Sequence, residues 1–154
     1  MTPAIEDTTR GIIARHLAQE GAALPILHAL QAEFGYLPEE TLPVVAEALN
    51  ITRAEIYGIA TFYHDFHFEP RGKHALALCR AEACQSMGVQ ALAGQAKARL
   101  GVDWGETTRD GQVTMEQTFC LGLYACAPSA TIDGKLVGRL TPEKLEAIIA
   151  EAGR

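Results

Sequence analysis

Residues 73–84 read KHALALCRAEAC and residues 112–126 read QVTMEQTFCLGLYAC. Each opens as a run that suits a buried or half-buried strand, and each run ends near a cysteine that a second cysteine soon follows. The spacings are C-x4-C and C-x5-C. At about 100° per helical residue, positions five and six apart diverge by roughly 140° and 240°. Neither pair could aim both sulfurs at one point from a regular helix, so both pairs are expected in loops. If the two strands run parallel, those loops emerge at one rim of a sheet.

Outward from these segments the pattern alternates. Gln85 to Leu100 reads as one helix with Gly101 as its cap. Asp133-Gly134 lies between TI and KLV, a hairpin signal. Thr141-Pro142 supplies an N-cap and first-turn proline for EKLEAIIAEA. The order is β-α-β-β-α. Upstream, the chain reads as short helices. One spans Glu6 to Glu20, with Ile12, Ile13, His16 and Leu17 on one stripe and Gly21 to end it. A second opens at Pro25 and closes at Gly35. A third lies in EETLPVVAEALN, terminated by Asn50, and a fourth starts at the capping box Thr52–Glu55. Pro70 and Gly72 mark a boundary. The expected architecture is α+β, with a helical bundle over 1–70 and a second domain over 71–154.

Composition narrows the function. The chain has 154 residues, 48% apolar and 21% charged, with a net charge of −6, which disfavours nucleic acid as the main partner. No apolar run reaches membrane-spanning length, and the N-terminus lacks the pattern of a secretory signal, so a cytoplasmic protein is expected. Clustered cysteines then point to metal or redox chemistry rather than disulfides. Four thiolates in two pairs are the ligand count of a [2Fe-2S] cluster. A structural zinc site, usually at C-x2–4-C spacing, is a second reading, and simple buried cysteines a third. A C-x-x-C dithiol motif is missing. On spacing alone these readings stay open.

Other residues carry weaker signals. Arg80 and the backbone amides of Ala81, Ala83 and Leu121 to Leu123 are candidate donors to sulfur, against a plain surface charge for Arg80. Gly122 fits a close approach of backbone or an ordinary turn. His64 and His67, without an adjacent cysteine, are poor evidence for a metal. The aromatic stretch Tyr57–Phe68 reads as a junction that also docks a partner, or as interior. Trp104 reads as an interface anchor or a loop aromatic.

FYHDFHFEPRGKHALALCRAEACQSMG and GETTRDGQVTMEQTFCLG, with LPILHALQAEFGYLP and AEALNITRAEIYGIATFYHDF upstream, resemble the thioredoxin-like [2Fe-2S] subunit found beside a flavin subunit. That family includes a subunit of respiratory complex I and relatives in NAD-reducing hydrogenases and NAD-dependent formate dehydrogenases. FYHDF followed by CRAEACQ looks most like the γ subunit of the soluble, molybdenum-containing formate dehydrogenases. The resemblance implies a thioredoxin-like second domain carrying one [2Fe-2S] cluster. It also implies an electron-transfer role beside a flavin- and NAD-binding partner. FMN, NAD, further iron–sulfur clusters and a molybdenum cofactor would lie on partner subunits, with no complete active site on this chain. The family's second pair usually reads C-L-G-x-C, which places its fourth ligand at Tyr124 here. The nearest thiol is Cys126, so the implied ligands are Cys79, Cys84, Cys120 and Cys126, with Tyr124 turned outward; the alternative is three cysteines with a weak fourth ligand, Tyr124 included.

Overall fold

The computed structural model describes residues 1–153 and separates into two compact units, Met1–Pro70 and Arg71 onward. In the first unit, α1 (Pro3–His16) begins where the Thr2 hydroxyl accepts from the Ile5 amide. It stops earlier than its apolar stripe predicts. Gln19 N–H donates to the His16 carbonyl, and residues 17–22 close as turns. Helix α2 (Ala23–Phe34) ends at Gly35, whose φ of 78° supplies the left-handed C-cap. A 3-10 turn (Glu39–Thr41) leads into α3 (Leu42–Leu49), which ends on Asn50 at φ 53°. Helix α4 (Arg53–Phe62) starts from the capping box: the Thr52 side chain accepts from Glu55 N–H, and the Glu55 carboxylate accepts from Thr52 N–H at 2.7 Å. Ile12, Ile26, Leu27, Leu30, Val45 and Ile56 form the centre of this core, and Phe66 closes it.

The second unit is built on a four-stranded mixed sheet in the order β2-β1-β3-β4. Strands β1 (His74–Cys79) and β2 (Val113–Thr118) pair in parallel, with His74 opposite Val113 and Cys79 opposite Thr118. Strand β3 (Ala130–Ile132) runs antiparallel to β1, and β4 (Lys135–Val137) antiparallel to β3. Asp133 and Gly134 both have positive φ, 51° and 78°, as a type I′ hairpin requires. The expected single helix over 85–100 is two: α5 (Glu82–Ser86) and α6 (Val89–Leu100). Gly88, at φ 86°, sits between them in a conformation that no α-helix continues. Helix α7 (Pro142–Ala152) is capped by Thr141, whose hydroxyl accepts from Lys144 N–H. Leu76, Leu78, Leu92, Met115, Leu145 and Ile149 fill the core. Burying each such side chain contributes about 1.5–3 kcal/mol before chain entropy is subtracted. This is the mixed α+β architecture that the alternating pattern predicts. Among the described residues no helix is long and apolar enough to cross a membrane.

Candidate metal centre

The parallel pairing of β1 with β2 sets the site. Because Cys79 ends β1 opposite Thr118, the chain leaving β2 delivers Cys120 to the same rim only two residues later. Cys120 has φ 29°, an uncommon value for a residue with a Cβ, and marks the point where the chain turns off the strand. Cys84 comes back to that rim on α5, a single short helix rather than the loop expected. The helix-geometry argument still applies, since its partner Cys79 lies on a strand.

Cys79, Cys84 and Cys120 line one cavity with Ala81, Ala83, Leu121, Leu123, Tyr124 and Ser129. Cys79 and Cys84 are almost wholly buried, whereas Cys120 and Tyr124 face solvent. Burial pushes the Cys79 thiol up. The amides of Ala81 and Leu121, the Cys84 thiol and the Ser129 hydroxyl together outweigh it, so its pKa falls below the ordinary thiol value. Ser129 also lies 3.4 Å from the Cys84 sulfur. No three of the described His, Cys, Asp and Glu side chains are grouped closely enough to hold a single metal ion. The donor set is that of a sulfur-ligated group: three thiols lining one cavity, backed by N–H and O–H donors to sulfur and walled by apolar side chains.

The other half of the second pair differs from expectation. Tyr124 is exposed, as expected of an outward side chain, yet it also lines the cavity, and the Cys120 thiol donates to its hydroxyl at 3.0 Å. Once Cys120 is ionised the phenol donates to the thiolate instead, and that hydrogen bond, with the charge interaction, raises the phenol's pKa. Cys126 is half-buried at the end of a 3-10 turn (Tyr124–Cys126) and is not among the lining residues. Its Cβ packs on Gly138, where an added Cβ would sit 2.9 Å from it, and its carbonyl accepts from Arg139 N–H.

Of the predicted sulfur donors, the Ala81 and Leu121 amides are in place. Arg80 is directed elsewhere. Its guanidinium donates to Gln117 at 3.1 Å and lies 5.4 Å from the centre of the Trp104 ring. Lys97 lies 4.7 Å from that ring, so Trp104 is a half-buried loop aromatic contacted by two cations. His64 is exposed and His67 partly buried, and neither lines the cavity. The Tyr57–Phe68 stretch divides: Phe66 is buried beside His28, while Phe62 is 73% exposed. Ser129 escaped the sequence reading, because a lone serine after Ala-Pro carries no signal of its own.

Known proteins share this chain's family and fold. The family profile described as thioredoxin-like [2Fe-2S] ferredoxin matches residues 9–153. A component of the NADH-quinone oxidoreductase of Rhizobium meliloti is 37% identical over 136 residues, 88% of this chain and 81% of that protein. The HndA component of the NADP-reducing hydrogenase of Solidesulfovibrio fructosivorans is 34% identical over 133 residues, 86% of this chain and 78% of that one. Among solved structures, an NAD+-reducing [NiFe]-hydrogenase in its air-oxidised state superposes with a TM-score of 0.71 at 28% identity. That likeness covers 82% of this chain but only 22% of the hydrogenase chain.

Proposed function

The chain belongs to the thioredoxin-like [2Fe-2S] ferredoxin family, and from that premise we propose that it is the electron-transfer subunit of an NAD-dependent formate dehydrogenase. In this reading it holds one [2Fe-2S] cluster, with Cys79, Cys84 and Cys120 as three ligands and the Tyr124–Cys126 turn as source of the fourth. The observation that carries it is the shared cavity of three thiols, one of them with a lowered pKa among amide and hydroxyl donors. When bound, such a cluster passes single electrons, which complements a flavin that handles hydride pairs.

The chain's own residues then have distinct tasks. The Ala81 and Leu121 amides and the Ser129 hydroxyl hold negative charge on the buried sulfurs. Ala81, Ala83 and Leu121 limit water around the buried thiols. Phe119 and Tyr124, 65% and 67% exposed, stand next to Cys120 on the solvent side and form the face that would dock on a flavin- and NAD-binding subunit. The strings FYHDF and CRAEACQ support a formate dehydrogenase, whose molybdenum-containing subunit would lie beyond the flavin subunit. The named relatives favour the corresponding subunit of a hydrogenase or NADH-quinone oxidoreductase as the second reading.

Two measurements test this. Electron paramagnetic resonance of the dithionite-reduced chain is expected to show one [2Fe-2S] signal, and Cys79→Ser is expected to abolish it. A colourless, zinc-loaded protein would mean a structural metal module instead. Affinity isolation of the native assembly is expected to recover flavin and molybdenum, whereas nickel would transfer the assignment to a hydrogenase.

A further inference from the structure

Resting on the cluster reading above, we propose that Tyr124 supplies the fourth ligand through its phenol oxygen, so that the set is three thiolates and one phenolate. Tyr124 shares the cavity with Cys79, Cys84 and Cys120, and its hydroxyl is already 3.0 Å from the Cys120 sulfur. Cys126 faces another way, for reasons of backbone geometry. A 3-10 turn advances about 120° per residue, so positions 124 and 126 point roughly 240° apart. With Tyr124 on the cavity side, the Cys126 side chain is carried toward Gly138.

Two backbone bonds fix that direction. Cys126 N–H donates to the Leu123 carbonyl at 2.9 Å, and the Cys126 carbonyl accepts from Arg139 N–H. Turning Cys126 into the cavity means unwinding the turn and giving up at least one of them, about 1 kcal/mol each in net stability. Tyr124 already lines the cavity with its backbone turn intact. A phenolate is a harder donor than a thiolate, yet three thiolates remain to anchor the group. Ligation moves no electrons: the phenol proton leaves to solvent, which the exposed side chain meets directly, just as each ligating thiol loses its own.

The test uses the full-length chain purified anaerobically, with iron and acid-labile sulfide assays, visible spectra and resonance Raman. The wild type is expected to show phenolate ring modes enhanced in a long-wavelength iron charge-transfer band. Tyr124→Phe, which removes one oxygen from an exposed side chain, keeps the folded circular dichroism spectrum. It loses those modes and releases iron to a chelator about ten-fold faster or more. Cys126→Ser keeps the wild-type spectrum and iron content. Tyr124→Cys regains tight iron without tyrosine modes and is reduced at a higher midpoint potential, because a softer donor favours the ferrous state. Loss of iron from Cys126→Ser with full retention in Tyr124→Phe would overturn the proposal and assign Cys126. Retention in both variants would also overturn it, in favour of a solvent-derived ligand. A wild type without iron under these conditions would instead remove the cluster reading itself.

Discussion

Gly138→Ala is a small change with a calculable effect on the second cysteine turn. A Cβ at 138 would lie 2.9 Å from the Cys126 Cβ and 3.2 Å from its carbonyl oxygen. Neither atom belongs to the free end of a side chain, so rotation offers no escape. Backbone movement is opposed as well: Arg139 N–H donates to Cys126 O, and Leu140 N–H donates to Pro128 O at 2.9 Å, so the two segments are fastened along their length. Overpacking of this kind costs about 1–3 kcal/mol. For a unit the size of residues 71 onward, each kcal/mol lowers the melting midpoint by about 4–8 °C, so a cost of about 2 kcal/mol gives a drop near ~10 °C. Scanning calorimetry of the variant beside wild type measures it. Gly94→Ala is the opposite control: it lies on the exposed side of α6, an added Cβ meets nothing within 4 Å, and it is expected to stabilise by about 0.5–1 kcal/mol. A Gly138→Ala midpoint within ~2 °C of wild type would refute the close-contact argument and the placement of Cys126 with it.

Other expectations concern the caps, the acid limb and the sulfur donors. Thr52→Ala removes one side of the capping box on α4 and is expected to cost about 1 kcal/mol, read from urea denaturation followed by far-ultraviolet circular dichroism. Burial raises the Asp133 carboxyl, but hydrogen bonds from His74 and the Ala75 amide lower it further, for a net pKa below the ordinary value. A depressed acid stabilises the fold above its unfolded value near ~3.9 and loses that contribution as pH falls through its folded value. Asp133→Asn, which still suits the hairpin turn, should therefore lower stability at neutral pH and flatten the loss below about pH 4 in a pH-dependent melt. Ser129→Ala removes a hydroxyl from the buried sulfurs and is expected to lower the cluster's midpoint potential in a redox titration followed by electron paramagnetic resonance. An unchanged potential would mean that this hydroxyl does not tune the centre.

Local chemistry made most elements readable. Gly35, Asn50 and the Thr52–Glu55 box end or begin helices through left-handed backbone and side-chain caps, effects that act within a few residues. The same holds for Asp133-Gly134 and Thr141-Pro142. Gly88 was harder, because a glycine inside an apolar-periodic run is compatible with a continuous helix until its φ is known. At the centre, the rim position of Cys79 and Cys120 follows from strand ends and a parallel pairing. The 3-10 turn at 124–126 could not be read in advance, since it depends on residues 138–140 lying against it from elsewhere in the chain. That non-local contact decides which of Tyr124 and Cys126 faces the cavity.

Trp104 is the chain's sole tryptophan, in contact with Arg80 and Lys97 in the second unit, and Arg80 directly follows Cys79. Indole emission is therefore a built-in optical gauge of one half of the molecule, silent about the helical half. Followed against ellipticity during heating, it separates the melting of the two halves without any engineered label. Filling of the neighbouring centre with a coloured cofactor would register as quenching of the same emission, making loading visible in real time.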